Sequence, residues 1–144
     1  MINQIISILF PIFQIFNYSN YKMRSLLFVG IGGGLGSILR YTISLFIGRN
    51  VPIVFPLGTF LVNCSGCFLI GVFYAYASKY SWFDEEWRLF FITGICGGYT
   101  TFSTFSYDGF YLLKSGANLS FLVYVLGTMV LGLFATFAGA ALFK

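Results

Sequence analysis

The residues best equipped for chemistry lie between Gly94 and Asp108, in the run Gly94-Ile95-Cys96-Gly97-Gly98-Tyr99-Thr100-Thr101-Phe102-Ser103-Thr104-Phe105-Ser106-Tyr107-Asp108. Gly97 and Gly98 weaken a helix, and the hydroxyls of Thr100, Thr101, Ser103, Thr104 and Ser106 compete for its backbone hydrogen bonds. Inside an apolar stretch such a segment reads as a broken helix. Irregular backbone at membrane depth is tolerated only where protein or a water-filled cavity surrounds it. A break frees carbonyls that can bind a cation and amides at the start of the second half-helix. Phe102 and Phe105 are three apart and share one face of that half-helix. A plainer reading is a kinked helix whose small residues allow close packing.

The rest of the chain says what must position this segment. Its 144 residues are 58% hydrophobic and 8% charged, against about 25% charged in a soluble domain. The expected fold class is therefore an all-α integral membrane protein. With 8 Lys+Arg at chain ends and in loops, the net charge of +4 reads as an orientation signal, not a nucleic-acid surface. There is no histidine and no visible nucleophile–base pair, so an enzyme is not expected. Cys64, Cys67 and Cys96 lie in apolar runs and read as packing residues, with no credible metal site among them.

Residues 1–22 form an aromatic-rich extension interrupted by Pro11, without the basic start and cleavage site of a signal peptide. It is short for a membrane span and is expected to be interfacial or poorly ordered. Four spans are expected after it, together forming the domain 23–144: about Ser25 to Ile47, Leu57 to Ala77, Trp87 to Leu113 and Leu119 to Phe143. The first carries Gly30/Gly34 and Gly32/Gly36, two small-xxx-small pairs suited to close helix approach. Arg40 lies well inside it, either as a buried functional cation or as a side chain snorkelling to the interface. Asn63 is the strongly polar residue of the second span; it is either interhelical glue or a donor lining an ion path. Tyr124, Thr128, Gly132 and Thr136 recur every four residues in the last span, a stripe able to face the broken third one. Lys and Arg are only weakly biased between the two sides, which allows insertion in both orientations and an antiparallel homodimer.

Three stretches together carry a family resemblance: Gly33-Gly34-Leu35-Gly36-Ser37-Ile38-Leu39-Arg40-Tyr41, Pro56-Leu57-Gly58-Thr59-Phe60-Leu61-Val62-Asn63-Cys64-Ser65-Gly66, and Gly94 to Ser106. In type and order they resemble the Fluc/CrcB fluoride ion channels, over about Lys22 to the C-terminus. The resemblance implies four spans with the third broken mid-membrane, in an antiparallel dual-topology homodimer with two fluoride pores. It implies a structural sodium ion between the protomers, held by the backbone carbonyls of Gly97 and Thr100. It places Phe102, Phe105, Asn63, Ser103 and Thr104 on the fluoride path, Arg40 near the vestibule, and Tyr124 and Thr128 on a polar track. Asp108 departs from the family's usual Glu.

These residue types suit the ion. Fluoride is small and strongly hydrated, so a path must replace its water with donors, and an amide and hydroxyls supply them. The positive edge of an aromatic ring faces an anion favourably. The expected function is a channel in the cell membrane, surrounded by lipid, that lets cytoplasmic fluoride leave passively and protects the cell. The subunit pairs with itself or with a paralogous partner. The alternative is a proton-coupled exporter of the small multidrug type, for which Asp108 is the available membrane carboxylate.

Overall fold

The computed structural model describes residues 23–51 and 53–143; the expected extension 1–22 lies outside the described residues. Among them the chain is helical, with no strand. Helix α1 spans Met23–Asn50, α2 Leu57–Lys79, α3 Glu85–Arg88, α4 Gly97–Tyr99, α5 Phe102–Lys114 and α6 Asn118–Ala141, with a π-helix Leu89–Cys96 joining α3 to α4. Three of these, α1, α2 and α6, are long and apolar enough to cross a membrane, as expected of a multi-pass membrane protein. Bilayer interiors offer no partner to exposed N–H and C=O groups, so apolar runs of this length close their own bonds as helices.

The ends are defined locally. Asp84 opens α3 by accepting from the amides of Glu86 at 3.0 Å and Trp87 at 3.3 Å. Arg88 donates from Nη2 to the Ala77 carbonyl at 2.8 Å, a cation on the carbonyl end of α2. Gly116 (φ 76°) makes the turn between α5 and α6 in a conformation that favours glycine. Trp82 and Trp87 are exposed beside this end, with Arg24 paired to Glu86 at 2.8 Å.

Two glycine contacts set how closely the layers approach. On α1, a Cβ at Gly36 would sit 2.8 Å from the Tyr99 amide nitrogen, and one at Gly98 would sit 3.0 Å from Gly33 Cα. Backbone therefore lies on backbone where α1 crosses the π-helix and α4. On the other side, a Cβ at Gly71 of α2 would lie 2.9 Å from the Ala140 nitrogen of α6. The two small pairs of α1 divide in use. Gly32 and Gly36 are buried against the 89–99 segment, whereas Gly30 and Gly34 have open space where a side chain would stand.

Candidate functional site

The helical path from Glu85 stops at Tyr99. Thr100 (φ −77°, ψ 156°) and Thr101 (φ −149°, ψ 121°) are extended, and α5 starts at Phe102. The interruption thus falls just after Gly97 and Gly98, which are themselves helical. Gly98 serves the approach of α1, lying against Gly33, while the threonines carry the irregular backbone. Its polar groups find partners of three kinds. The Thr101 N–H donates to Asn63 Oδ1 at 2.8 Å, and Asn63 Nδ2 donates back to the Thr101 carbonyl at 3.1 Å. Thr101 Oγ1 caps α5 by accepting from the Thr104 amide at 3.2 Å, and it donates to Thr104 Oγ1 at 3.1 Å. From α1, Arg40 Nε donates to the Gly98 carbonyl at 3.1 Å, with Ser37 Oγ at 3.4 Å from the same oxygen.

Because the Thr101 amide turns to Asn63, the Gly97 carbonyl four residues earlier loses its ordinary helical partner. The same region is packed tightly on its α2 side. A Cβ at Gly66 would run into the Thr100 methyl and sit 3.1 Å from the Tyr99 ring, whose hydroxyl lies 2.9 Å from Ser65 Oγ.

A groove of about 360 Å³ opens beside the interruption, lined by Asn63, Cys67, Ile70, Thr100, Thr101, Phe102, Phe105, Thr128 and Met129. Phe102 and Phe105 stand side by side, ring centroids 5.8 Å apart. The fold therefore brings Asn63, Phe102, Phe105 and Thr128 together, with Thr100 of the expected ion site at their edge. A second cavity shares Cys67, Thr128 and Met129 and continues along α2 and α6 to Gly132 and Thr136. The stripe on α6 so divides. Tyr124 and Thr128 lie toward the interruption, and Thr136 packs on α2, donating to the Cys67 carbonyl at 3.1 Å.

Other expected residues take different places. Ser103 and Thr104 sit at the start of α5 around Thr101, outside the lining of the groove. Arg40 lies on the α1 side, at Gly98. Tyr124 is fully buried, its ring 5.1 Å from that of Phe105, and its hydroxyl donates to Asp108 Oδ2 at 3.3 Å. Thr59 Oγ1 donates to the same oxygen at 2.7 Å. Asp108 also borders a separate cavity of about 250 Å³ beneath the α1–α2 connection.

A family model described as "CrcB-like protein, Camphor Resistance (CrcB)" matches residues 27–140, which span every element that builds this site. The chain belongs to the CrcB-like family. Among curated relatives, a protein named "Fluoride-specific ion channel FluC" from Phocaeicola vulgatus is 48% identical over 117 residues, which is 81% of this chain and 96% of the relative. One of the same name from Aquifex aeolicus is 48% identical over 111 residues, 77% of this chain and 90% of its own length. A third, from Azobacteroides pseudotrichonymphae, is 44% identical over 117 residues, 81% of this chain and 94% of the relative.

Within this CrcB-like protein, sequence reasoning missed Cys67, Ile70 and Met129 as groove residues and Thr59 as the partner of Asp108. Spacing carries a signal for Cys67, Ile70 and Thr59: Thr59, Asn63, Cys67 and Ile70 follow the i, i+4, i+8, i+11 rhythm of one helix face. Met129 adjoins Thr128 and has no such mark.

Proposed function

We propose that this CrcB-like protein is a fluoride-selective ion channel, not an enzyme, and that it lets cytoplasmic fluoride leave the cell passively across the plasma membrane. The observation that carries the reading is the helical interruption at Thr100–Thr101 opening on a groove that holds an amide, a hydroxyl and two aromatic rings. Its background is a family whose relatives carry the name of fluoride channels.

The chemistry supports an anion of this size. Asn63 Nδ2 carries two protons and spends one on the Thr101 carbonyl. The second is a donor for an ion in the groove. Phe102 and Phe105 offer ring edges, whose hydrogens carry partial positive charge. Neither side chain is charged, so the groove can release the ion as readily as it binds it, which conduction requires.

The functional unit in this reading is an antiparallel dual-topology homodimer of four-span subunits, the third span being 85–114 with its break at Thr100–Thr101. Two features support a second copy. Phe102 is 79% exposed on the single chain, and Gly30 and Gly34 leave a bare strip on α1. Small-residue strips of this kind let helices approach closely in lipid. A structural sodium ion fits the same place. The carbonyls of Gly97 and Thr100 are hard oxygen donors at an unwound helix, the kind that coordinates Na+ in membrane proteins. The released Gly97 carbonyl is one such group. When bound, the ion would neutralise carbonyl dipoles from both subunits and tie the two breaks together.

The test is reconstitution into liposomes with fluoride and chloride efflux measured in parallel. Fluoride efflux many-fold faster than chloride is expected, with Phe102→Ala sharply slower. Equal rates for the two ions, or proton-dependent efflux of ethidium in place of fluoride, would refute the reading.

A further inference from the structure

Arg40 enters the site through one atom. Its Nε donates to the Gly98 carbonyl at 3.1 Å, and Ser37, three residues earlier on the same face of α1, approaches that oxygen with its hydroxyl at 3.4 Å. Gly98 is in the last turn before the helical path stops at Tyr99. Carbonyls at a helix end lack intrahelical partners and carry the negative end of its dipole. Gly33 presses on the same residue from below: a Cβ at Gly98 would lie 3.0 Å from Gly33 Cα. The Gly98 peptide is therefore fixed by α1, as the Thr101 peptide is fixed by Asn63 of α2. Between them only Tyr99 and Thr100 remain, and Tyr99 is held in turn by Ser65.

We propose that Arg40 is a positioning residue, whose Nε–H, not its charge, holds the Gly98 carbonyl and so sets the direction of the peptides flanking the interruption. The proposal rests on the reading of the protein as a fluoride channel for its transport readout. It differs from a field effect, in which the guanidinium only raises the local anion concentration. Side-chain chemistry separates the two. Glutamine carries its amide nitrogen at the same distance along the chain as Arg Nε, without charge. Lysine keeps the charge but puts a methylene at that position. A field effect predicts that Arg40→Lys outperforms Arg40→Gln. Positioning predicts the reverse.

The experiment compares wild type, Arg40→Gln and Arg40→Lys in liposomes, reading initial fluoride efflux at ionic strengths of about 0.01 M and about 0.1 M, between which the screening length falls from about 30 Å to about 10 Å. The expected result is that Arg40→Gln conducts about tenfold faster than Arg40→Lys, equivalent to about 1.4 kcal/mol, with the same ratio at both salt levels. Deuterium exchange of peptides covering residues 96–104 in detergent gives a readout independent of transport. Exchange there is expected to be faster in Arg40→Lys than in Arg40→Gln. Arg40→Lys conducting as well as or better than Arg40→Gln overturns the proposal, as does a ratio that collapses when salt is raised. If both variants are silent, the exchange order decides in the same way. A wild type that moves no fluoride refutes the channel reading instead, while the exchange order still tests the position of Gly98.

Discussion

Removing the Asn63 side chain tests the interruption most directly. Asn63 is 9% exposed and exchanges two hydrogen bonds with one peptide, accepting from Thr101 N–H at 2.8 Å and donating to the Thr101 carbonyl at 3.1 Å. Asn63→Ala leaves that donor and that acceptor without protein partners. Each buried, unsatisfied group costs about 1–3 kcal/mol. Thr101 is only half-buried, and water can reach it in part, so the low end applies and the pair comes to about 2 kcal/mol. That is about 30-fold in the population of the correctly formed break. It corresponds to a melting temperature lower by about 4–8 °C for a chain of this size. The assay is thermal unfolding in detergent followed by tryptophan fluorescence, with fluoride efflux on the same preparations. Asn63→Leu keeps the branch at Cγ, is larger than Asn and leaves no void; it removes the same two bonds and should lose at least as much stability as Asn63→Ala. Asn63→Asp keeps the acceptor for Thr101 N–H but sets a carboxylate oxygen against the Thr101 carbonyl, and should lose more than Asn63→Ala. If all three variants melt and conduct like wild type, the clamp contributes nothing and the account of the break is wrong.

The other expectations concern packing and the aromatic pair. Gly36→Ala puts a methyl 2.8 Å from the Tyr99 nitrogen and 3.0 Å from the Ile95 carbonyl carbon; overpacking of this kind costs about 1–3 kcal/mol, and a lower melting temperature checks it. Gly34→Leu projects into open space on the single chain, so the subunit should fold as before while the crosslinked dimer fraction falls. Phe102→Ala removes a side chain that is 79% exposed on the single chain, so the fold of the subunit itself should shift by no more than about 0.5 kcal/mol while fluoride efflux drops at least tenfold. Phe105→Ala should lose both, because its ring packs on Tyr124 at 5.1 Å; melting and efflux measured side by side separate the two.

The sequence by itself determined the class of protein and the position of its long helices. The runs expected over 25–47, 57–77 and 119–143 correspond to Met23–Asn50, Leu57–Lys79 and Asn118–Ala141. Hydropathy suffices here because the bilayer leaves an apolar run little choice but to bond to itself. It also determined that residues 94 to 108 make a poor helix, since glycine and hydroxyl side chains act locally.

Where that helix stops is another matter. Composition marked Gly97, Gly98 and five hydroxyl residues from Thr100 to Ser106 without choosing among them; the extended residues are Thr100 and Thr101, because the peptide that leaves the helix must find a donor and an acceptor, and Asn63 supplies both from 38 positions away. The π-helix over Leu89–Cys96 has the same character. It borders a backbone-to-backbone contact, in which a Cβ on Gly94 would stand 2.9 Å from Gly32 Cα, and that contact exists only once α1 is in place. The fate of each polar side chain was also decided in three dimensions. Arg40 reads in sequence as either a buried functional cation or a side chain snorkelling to the interface, and it ends on the Gly98 carbonyl; the Tyr124 hydroxyl ends on Asp108. Residue type fixes how many donors and acceptors a chain owns. Which of them are spent on the fold, and which remain for an ion, depends on contacts between residues far apart in the chain.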